Sequence, residues 1–188
     1  IQGDAHLVQK AVVMGAGCIG LVSMMALKAR GVNEVYVVDV MDKRLDKAME
    51  LGATGVINGM KEDVVAKVRE LTDGKGTDLV IETAGSEITS RQAIEIAKNG
   101  STIVFVGYSK SGEVTLPMSV ALNKELTFKT VFRYRNIYPM AIQAVADGKV
   151  NLKGIVTKEY PLDQADIAMD ESIKNKADIV KAVIRIHD

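Results

Sequence analysis

The sequence predicts an α/β protein built on a doubly wound, parallel sheet of six strands. Apolar runs of strand length alternate with helix-length segments across short turns, and such alternation forces parallel pairing with helices as crossovers. Val35 to Val38 is apolar throughout, as expected of a strand covered on both faces. Three glycines at the junction of the first strand and the first helix mark a turn where backbone must come close to something else.

The elements follow in order. Ala11 to Met14 reads as the first strand and Ile19 to Arg30 as the first helix, with Ile19, Val22, Ser23 and Ala26 sharing a face and Gly31 ending it. Val35 to Val38 is the second strand. Asp42 is placed to cap a helix over Lys43 to Leu51, closed by Gly52. Gly55-Val56-Ile57 is a third strand, and Val64, Val68 and Leu71 mark one face of a helix over Lys61 to Thr72. Leu79-Val80-Ile81 and Thr102 to Val106 are the fourth and fifth strands. Between them a helix runs from Glu87 to Lys98, with Gly100 as its stop. A short helix near Ser119 to Asn123 leads to a sixth strand, Leu126 to Val131. After it Tyr138 to Asp147 and Leu162 to Lys174 read as helices and Ile179 to Ile186 as a strand, so the simple alternation breaks.

Composition narrows the function classes. The 188 residues hold 24 Lys and Arg against 24 Asp and Glu, and this zero balance argues against an electrostatic nucleic-acid binder. One cysteine cannot form an internal disulfide, and with no basic-then-apolar leader the expected compartment is the cytoplasm. The uncharged stretch Ala11 to Leu27 is 17 residues long, near the lower limit of a membrane span. Gly15, Gly17 and Gly20 inside it make a poor helix interior, each costing about 1 kcal/mol relative to Ala, and no membrane partner is expected. The first residue is Ile1, as expected of a trimmed chain.

Gly15-Ala16-Gly17-Cys18-Ile19-Gly20 is a G-x-G-x-x-G string that follows a strand and opens a helix. Gly15 permits a tight turn, Gly17 lets a pyrophosphate approach the backbone, and Gly20 lets helix and strand pack closely. The helix N-terminus then offers N–H groups and partial positive charge to phosphate. Asp39 ends the second strand, 19 residues after Gly20, where a carboxylate can accept hydrogen bonds from an adenosine ribose and repel a 2′-phosphate. NAD rather than NADP is the expected cofactor. The competing role for Asp39 is that of a loop residue capping the next helix, for which Asp42 is better placed. Arg44 reads as a solvated residue of a first helical turn, and Cys18 as a small turn residue. His6 and His187 lie far apart in sequence and, with one Cys, form no zinc-ligand spacing. In open α/β sheets ligands bind outside the C-terminal strand ends. That places the loops Glu82-Thr83-Ala84-Gly85 and Val106-Gly107-Tyr108-Ser109 and the run Phe132-Arg133-Tyr134-Arg135-Asn136 as candidates for the nicotinamide half, with ordinary turn chemistry as the competing role.

With these residues in view the sequence resembles the medium-chain zinc-dependent alcohol dehydrogenases, closest to their polyol branch of sorbitol, L-iditol and xylitol dehydrogenases. The resemblance is carried by Val13 to Gly20, Val38-Asp39 with Arg44, Leu51-Gly52-Ala53, Asp78 to Gly85, Val106-Gly107, and above all Phe132-Arg133-Tyr134 before Asn136. It implies a Rossmann sheet over residues 1–137 and a segment over 138–188 that packs on an N-terminal zinc domain. It also implies that Gly15, Gly17, Cys18, Ile19, Gly20, Asp39, Arg44, Thr83, Ala84, Val106, Gly107, Phe132 and Arg133 bind cofactor, with Arg133 and Tyr134 near substrate. Hydride transfer from a polyol or secondary alcohol to NAD is the implied reaction. Zinc is expected only in the N-terminal domain, so this chain holds no catalytic residue or metal ligand and is expected to be inactive alone. The alternatives are a butanediol- or threonine-type dehydrogenase, or an NAD-binding module without catalysis. A homodimer or homotetramer joined through the edge strand Leu126 to Val131 is the expected assembly.

Overall fold

The computed structural model describes residues 9–186, so His6 and His187 lie outside the described residues. The first half of the chain alternates strictly: β1 (Lys10–Met14), α1 (Cys18–Ala29), β2 (Glu34–Asp39), α2 (Asp42–Glu50), β3 (Gly55–Asn58), α3 (Val64–Leu71), β4 (Thr77–Glu82), α4 (Glu87–Ile96) and β5 (Ala97–Phe105). Then follow α5 (Met118–Asn123), β6 (Thr127–Thr130), α6 (Tyr138–Ala146), β7 (Val156–Pro161), α7 (Ala165–Lys174) and β8 (Lys181–Arg185). The main sheet has six strands in the order β3-β2-β1-β4-β5-β6, and every pairing in it is parallel. The order reverses between β1 and β4, which leaves a crevice at their C-terminal ends.

The apolar strands carry no polar alternation because both faces are buried. Successive side chains point to opposite faces. Ala11 and Val13 therefore join Val35, Val37, Leu79 and Ile81 in a layer with Leu21, Met24 and Met25 of α1. Val12 and Met14 join Tyr36, Val38, Val80 and Ile103 in the opposite layer, with Val64 and Val68 of α3 and Ala93 and Ile94 of α4. Val150 and Ile155 extend the α1 layer, with Ala144 and Val180 packed on it, so the chain beyond residue 138 shares this core.

Several local readings need correction. The first helix buries Gly20, Leu21, Met24, Met25 and Leu27, and Ile19 and Ala26 face outward. Residues 21–27 are apolar apart from Ser23, so periodicity gave the face little definition. Asp42 is not the cap of α2, because that helix starts at Asp42 itself and Met41 occupies the N-cap. The Asp42 carboxylate instead accepts from Asn58 Nδ2 at 2.8 Å and Lys61 Nζ at 2.8 Å, which stitches α2 to the end of β3. Those hydrogen bonds, Lys61 first and then Asn58, hold its pKa below the ordinary carboxylate value. Asp63 caps α3 by accepting from Ala66 N–H, and that helix starts at Val64 rather than Lys61.

The α4 helix stops at Ile96, ahead of Gly100, which lies in β5 at φ +75° beside a register shift against β4. Lys124 supplies the stop. Its ammonium donates to the carbonyls of Ile94, Glu95 and Ala97 at 3.1, 2.8 and 2.8 Å, satisfying C-terminal carbonyls that a helix leaves without partners. In the last part of the chain a strand absent from the sequence reading, β7, pairs in parallel with β8 as a separate two-stranded sheet. α7 begins at Ala165, after a 3-10 turn over Leu162–Gln164.

Candidate functional site

Parallel pairing brings the C-terminal ends of β1, β2, β4, β5 and β6 to one edge, and with them nearly every residue singled out in the sequence. The glycine turn is the most tightly built part. Gly15 sits at φ +103°, and its N–H donates to Val38 O at 2.7 Å. A Cβ on Gly20 would stand 1.8 Å from Gly15 O, so only glycine lets α1 fold back against the turn. Gly17 is different. Nothing but an Arg44 guanidinium nitrogen, at 3.8 Å, lies near where its Cβ would be, so this position is open toward the crevice. Gly17 is the N-cap of α1. No side chain caps the helix and no acidic residue stands in its first turn, so the positive end of α1 faces the crevice uncompensated by its own residues. Cys18 is half-buried against the α1 layer, and Ile19 is exposed beside it.

Asp39 does two things at once. Its Oδ1 accepts from Val40 N–H at 2.7 Å and Met41 N–H at 3.0 Å, shaping the turn into α2. Its Oδ2 accepts from Ala16 N–H at 2.6 Å, tying β2 to the glycine turn. The loop role weighed against ribose recognition is therefore real. A carboxylate has about four acceptor positions; three are filled, and one on Oδ2 remains. Arg44 is not a free surface residue either. Its Nε and one terminal nitrogen donate to Lys176 O at 2.9 and 2.6 Å.

At the other end of the crevice Thr83 locks the β4 loop to the glycine turn: its N–H and its hydroxyl both donate to Met14 O, at 2.9 and 2.8 Å. Ala84, Val106 and Gly107 are held by Glu82, which the sequence places at the head of the same candidate loop without showing that it supports the others. Its side chain is buried, 1% exposed. Oε1 accepts from Ala84 N–H, Gly85 N–H and the Thr89 hydroxyl at 3.0, 3.0 and 2.8 Å. Its backbone carbonyl accepts from Val106 and Gly107 N–H at 2.8 and 2.9 Å. Burial pushes its carboxyl above the ordinary glutamate value, and the hydrogen bonds from Thr89, Gly85 and Ala84 oppose that rise. The only hint in the sequence is an acid closing an apolar strand. A Cβ on Gly107 would meet Gly85 N at 2.2 Å and Glu82 Oε2 at 2.6 Å, so the two loops interlock. An open cavity of about 370 Å³ lies here, with Gly85, Phe105, Gly107 and Tyr108 in its wall.

Phe132, Arg133 and Tyr134 follow directly, because Val131 N–H donates to Phe105 O at 2.9 Å and sets the end of β6 beside that of β5. The Arg133 guanidinium stacks 4.9 Å from the Phe132 ring centre, and the Tyr134 ring meets Tyr138 edge to face at 5.7 Å. Phe132 and Tyr134 are nevertheless 77% and 70% exposed. A larger cavity, about 640 Å³, opens at the end of the β7–β8 sheet around Glu159, Tyr160 and Arg185, away from the glycine turn, and holds none of the features that recognise a dinucleotide.

The glycine turn, the bare helix terminus and the Asp39 carboxylate fit the diphosphate and ribose of a dinucleotide. Zinc finds no such fit: among the described residues no group of three or more His, Cys, Asp or Glu side chains could hold a metal ion. Nor, among them, is any helix long and apolar enough to cross a membrane.

A model of the zinc-binding dehydrogenase family matches residues 18–147. The chain is 44% identical to the uncharacterized zinc-type alcohol dehydrogenase-like protein YdjJ of Escherichia coli (strain K12), over 96% of this chain and 51% of that one. It is 39% identical to the sorbitol dehydrogenase of Ovis aries, over 88% of this chain and 47% of that one. Among solved structures, 2R,3R-butanediol dehydrogenase from Bacillus subtilis superposes with a TM-score of 0.88 at 32% identity, over 96% of this chain and 51% of that one. The chain spans about half the length of the curated relatives it matches.

Proposed function

Because the chain belongs to the zinc-binding dehydrogenase family, we propose that it is the NAD-binding portion of an enzyme that oxidises a polyol or a related secondary alcohol. The observation that carries this reading is the pairing of an open Gly17 at an uncapped helix terminus with the Asp39 carboxylate, which accepts from the N–H of the adjacent Ala16 at 2.6 Å. When bound, NAD supplies the hydride-accepting carbon. The protein's own part is placement. The first-turn N–H groups of α1 receive the pyrophosphate. The spare acceptor position of Asp39 receives a ribose hydroxyl, and its charge repels a 2′-phosphate. Arg44 stands beside that ribose. The interlocked loops at Thr83, Ala84, Val106 and Gly107 form the floor under the nicotinamide, and Phe132, Arg133 and Tyr134 form its exposed rim on the substrate side. Similarity to a sorbitol and to a butanediol dehydrogenase supports a vicinal-hydroxyl substrate.

Calorimetric titration of NADH and NADPH into the protein tests the cofactor half of this proposal. NADH should bind at least tenfold more tightly; equal affinities, or a preference for NADPH, would reject it. The reading extends to assembly. Among the described residues β6 is an edge strand with no neighbour beyond it in the sheet, and an open edge of this kind favours pairing with a second copy about a two-fold axis. Sedimentation velocity should then show a dimer or larger species, and a strict monomer at high concentration contradicts it.

A further inference from the structure

Lys43 and Arg44 stand in the first turn of α2 just beyond Asp39, where a 2′-phosphate on an adenosine ribose would find cations to receive it. Both are already engaged, and by the same short piece of chain. Arg44 spends two N–H groups on Lys176 O, at 2.9 and 2.6 Å. Lys43 Nζ is ion-paired with the Asp178 carboxylate. The turn that carries these acceptors is built rather than loosely draped. Asp178 and Ile179 N–H both donate to Asn175 O, at 3.0 and 2.9 Å. Ile179 is buried at 7% exposure, and Val180 N–H donates to the Thr157 hydroxyl at 3.0 Å.

We infer that the turn over residues 175–179 is a cofactor-selectivity element, in which Asp178 and the Lys176 carbonyl withhold Lys43 and Arg44 from a 2′-phosphate. The inference rests on the reading of this crevice as a dinucleotide site. Selectivity then has two layers. Asp39 repels the phosphate directly, and Asp178 removes a compensating charge from the position beside it. The second layer matters most once the first is gone, because a phosphate that Asp39 has already repelled gains little from a freed lysine.

The test is a cycle of wild type, Asp39→Ala, Asp178→Ala and the double variant, each titrated with NADH and with NADPH at low and at physiological salt. An exposed ion pair is weak, so freeing Lys43 in the Asp39→Ala background should tighten NADPH by about two- to fivefold relative to NADH. The gain should be larger at low salt, and smaller in the presence of Asp39. Equal shifts for both nucleotides, or the same NADPH gain with and without Asp39, overturn the inference while leaving the dinucleotide reading intact. Failure of wild type to bind either nucleotide overturns both. Should Asp178→Ala melt early, Asp178→Asn keeps the side-chain shape and must give the same direction of change.

Discussion

At the β1–β2 end of the crevice the backbone is pinned from several sides: Gly15 N–H to Val38 O, Asp39 to Ala16 N–H, and Gly20 against Gly15 O with no room for a methyl group. At the β4–β6 end the loops are held from beneath by the Glu82 carboxylate, while Phe132, Tyr134 and Tyr108 stand largely in solvent. One end is a backbone frame fixed on several sides, which the proposed function assigns to the groups common to all dinucleotides. The other has a fixed floor and an exposed rim of aromatic groups. Changes at the first end should therefore show in folding or cofactor affinity. Changes to the rim of the second should barely touch stability.

The largest effect is expected at Gly20. Its substitution by Ala forces the turn and α1 apart, because the contact at 1.8 Å is with backbone. A loss of about 3 kcal/mol, the upper range for overpacking, is expected in denaturant unfolding. Gly17→Ala makes the contrast. Its new methyl meets only the Arg44 side chain at 3.8 Å, so stability should hold within about 0.5 kcal/mol. NADH affinity should nevertheless fall, because the methyl stands in the path of the pyrophosphate. If Gly17→Ala binds NADH as wild type does, the phosphate does not approach there.

Glu82 tests the floor of the second end. Glu82→Ala strands the N–H groups of Ala84 and Gly85, and a loss of about 2–3 kcal/mol is expected. Glu82→Gln keeps an acceptor and removes a buried charge, and should stay within about 1 kcal/mol of wild type. The pH dependence has a definite sign. Burial raises this carboxyl above its unfolded value, so protonation favours the folded state. Its contribution is full below the unfolded pKa and is lost as pH rises through the higher folded pKa. Wild type should thus gain stability relative to Glu82→Gln as pH falls from neutral toward about 4.5. Parallel curves for the two proteins would show that the carboxyl is not strained by burial.

What could be read from the sequence follows the same division. The glycines and Asp39 were legible because their roles are local: the turn, the helix start and the acid lie within 25 residues, and their spacing carries the geometry. Glu82 could be read only as the first residue of a candidate loop; its role beneath that loop was not legible, because nothing local shows a buried acid its donors. β7 was missed because Val156 to Pro161 is half polar and pairs only with β8, more than 20 residues on. The partners of Lys43 and Arg44 lie 135 and 132 residues away, a separation that no local pattern encodes.

Asp39 comes next in size, and it discriminates between loop shaping and recognition. Hydrogen bonds to a charged acceptor are worth about 1.5–3 kcal/mol, so Asp39→Ala should weaken NADH about ten- to a hundredfold. Because the same carboxylate also fixes Ala16, Val40 and Met41, part of the loss will be shared by NADPH. The affinity ratio is therefore the informative quantity, and it should move toward NADPH. An unchanged ratio would mean that Asp39 only holds the turn.

The smallest effects belong to the exposed rim. Phe132 is 77% exposed, and its stacking with Arg133 is a surface contact. Phe132→Ala should change unfolding stability by no more than about 0.5 kcal/mol. An aromatic contact with a bound ring is worth about 0.5–1.5 kcal/mol. If Phe132 reaches the nicotinamide, NADH affinity should therefore drop about two- to tenfold, while the adenosine fragment AMP, which ends short of that ring, binds unchanged. The AMP arm gives the measurement its force. Equal loss for AMP and NADH would trace the effect to a shift of the whole crevice, and no loss for either would place Phe132 outside the cofactor's reach.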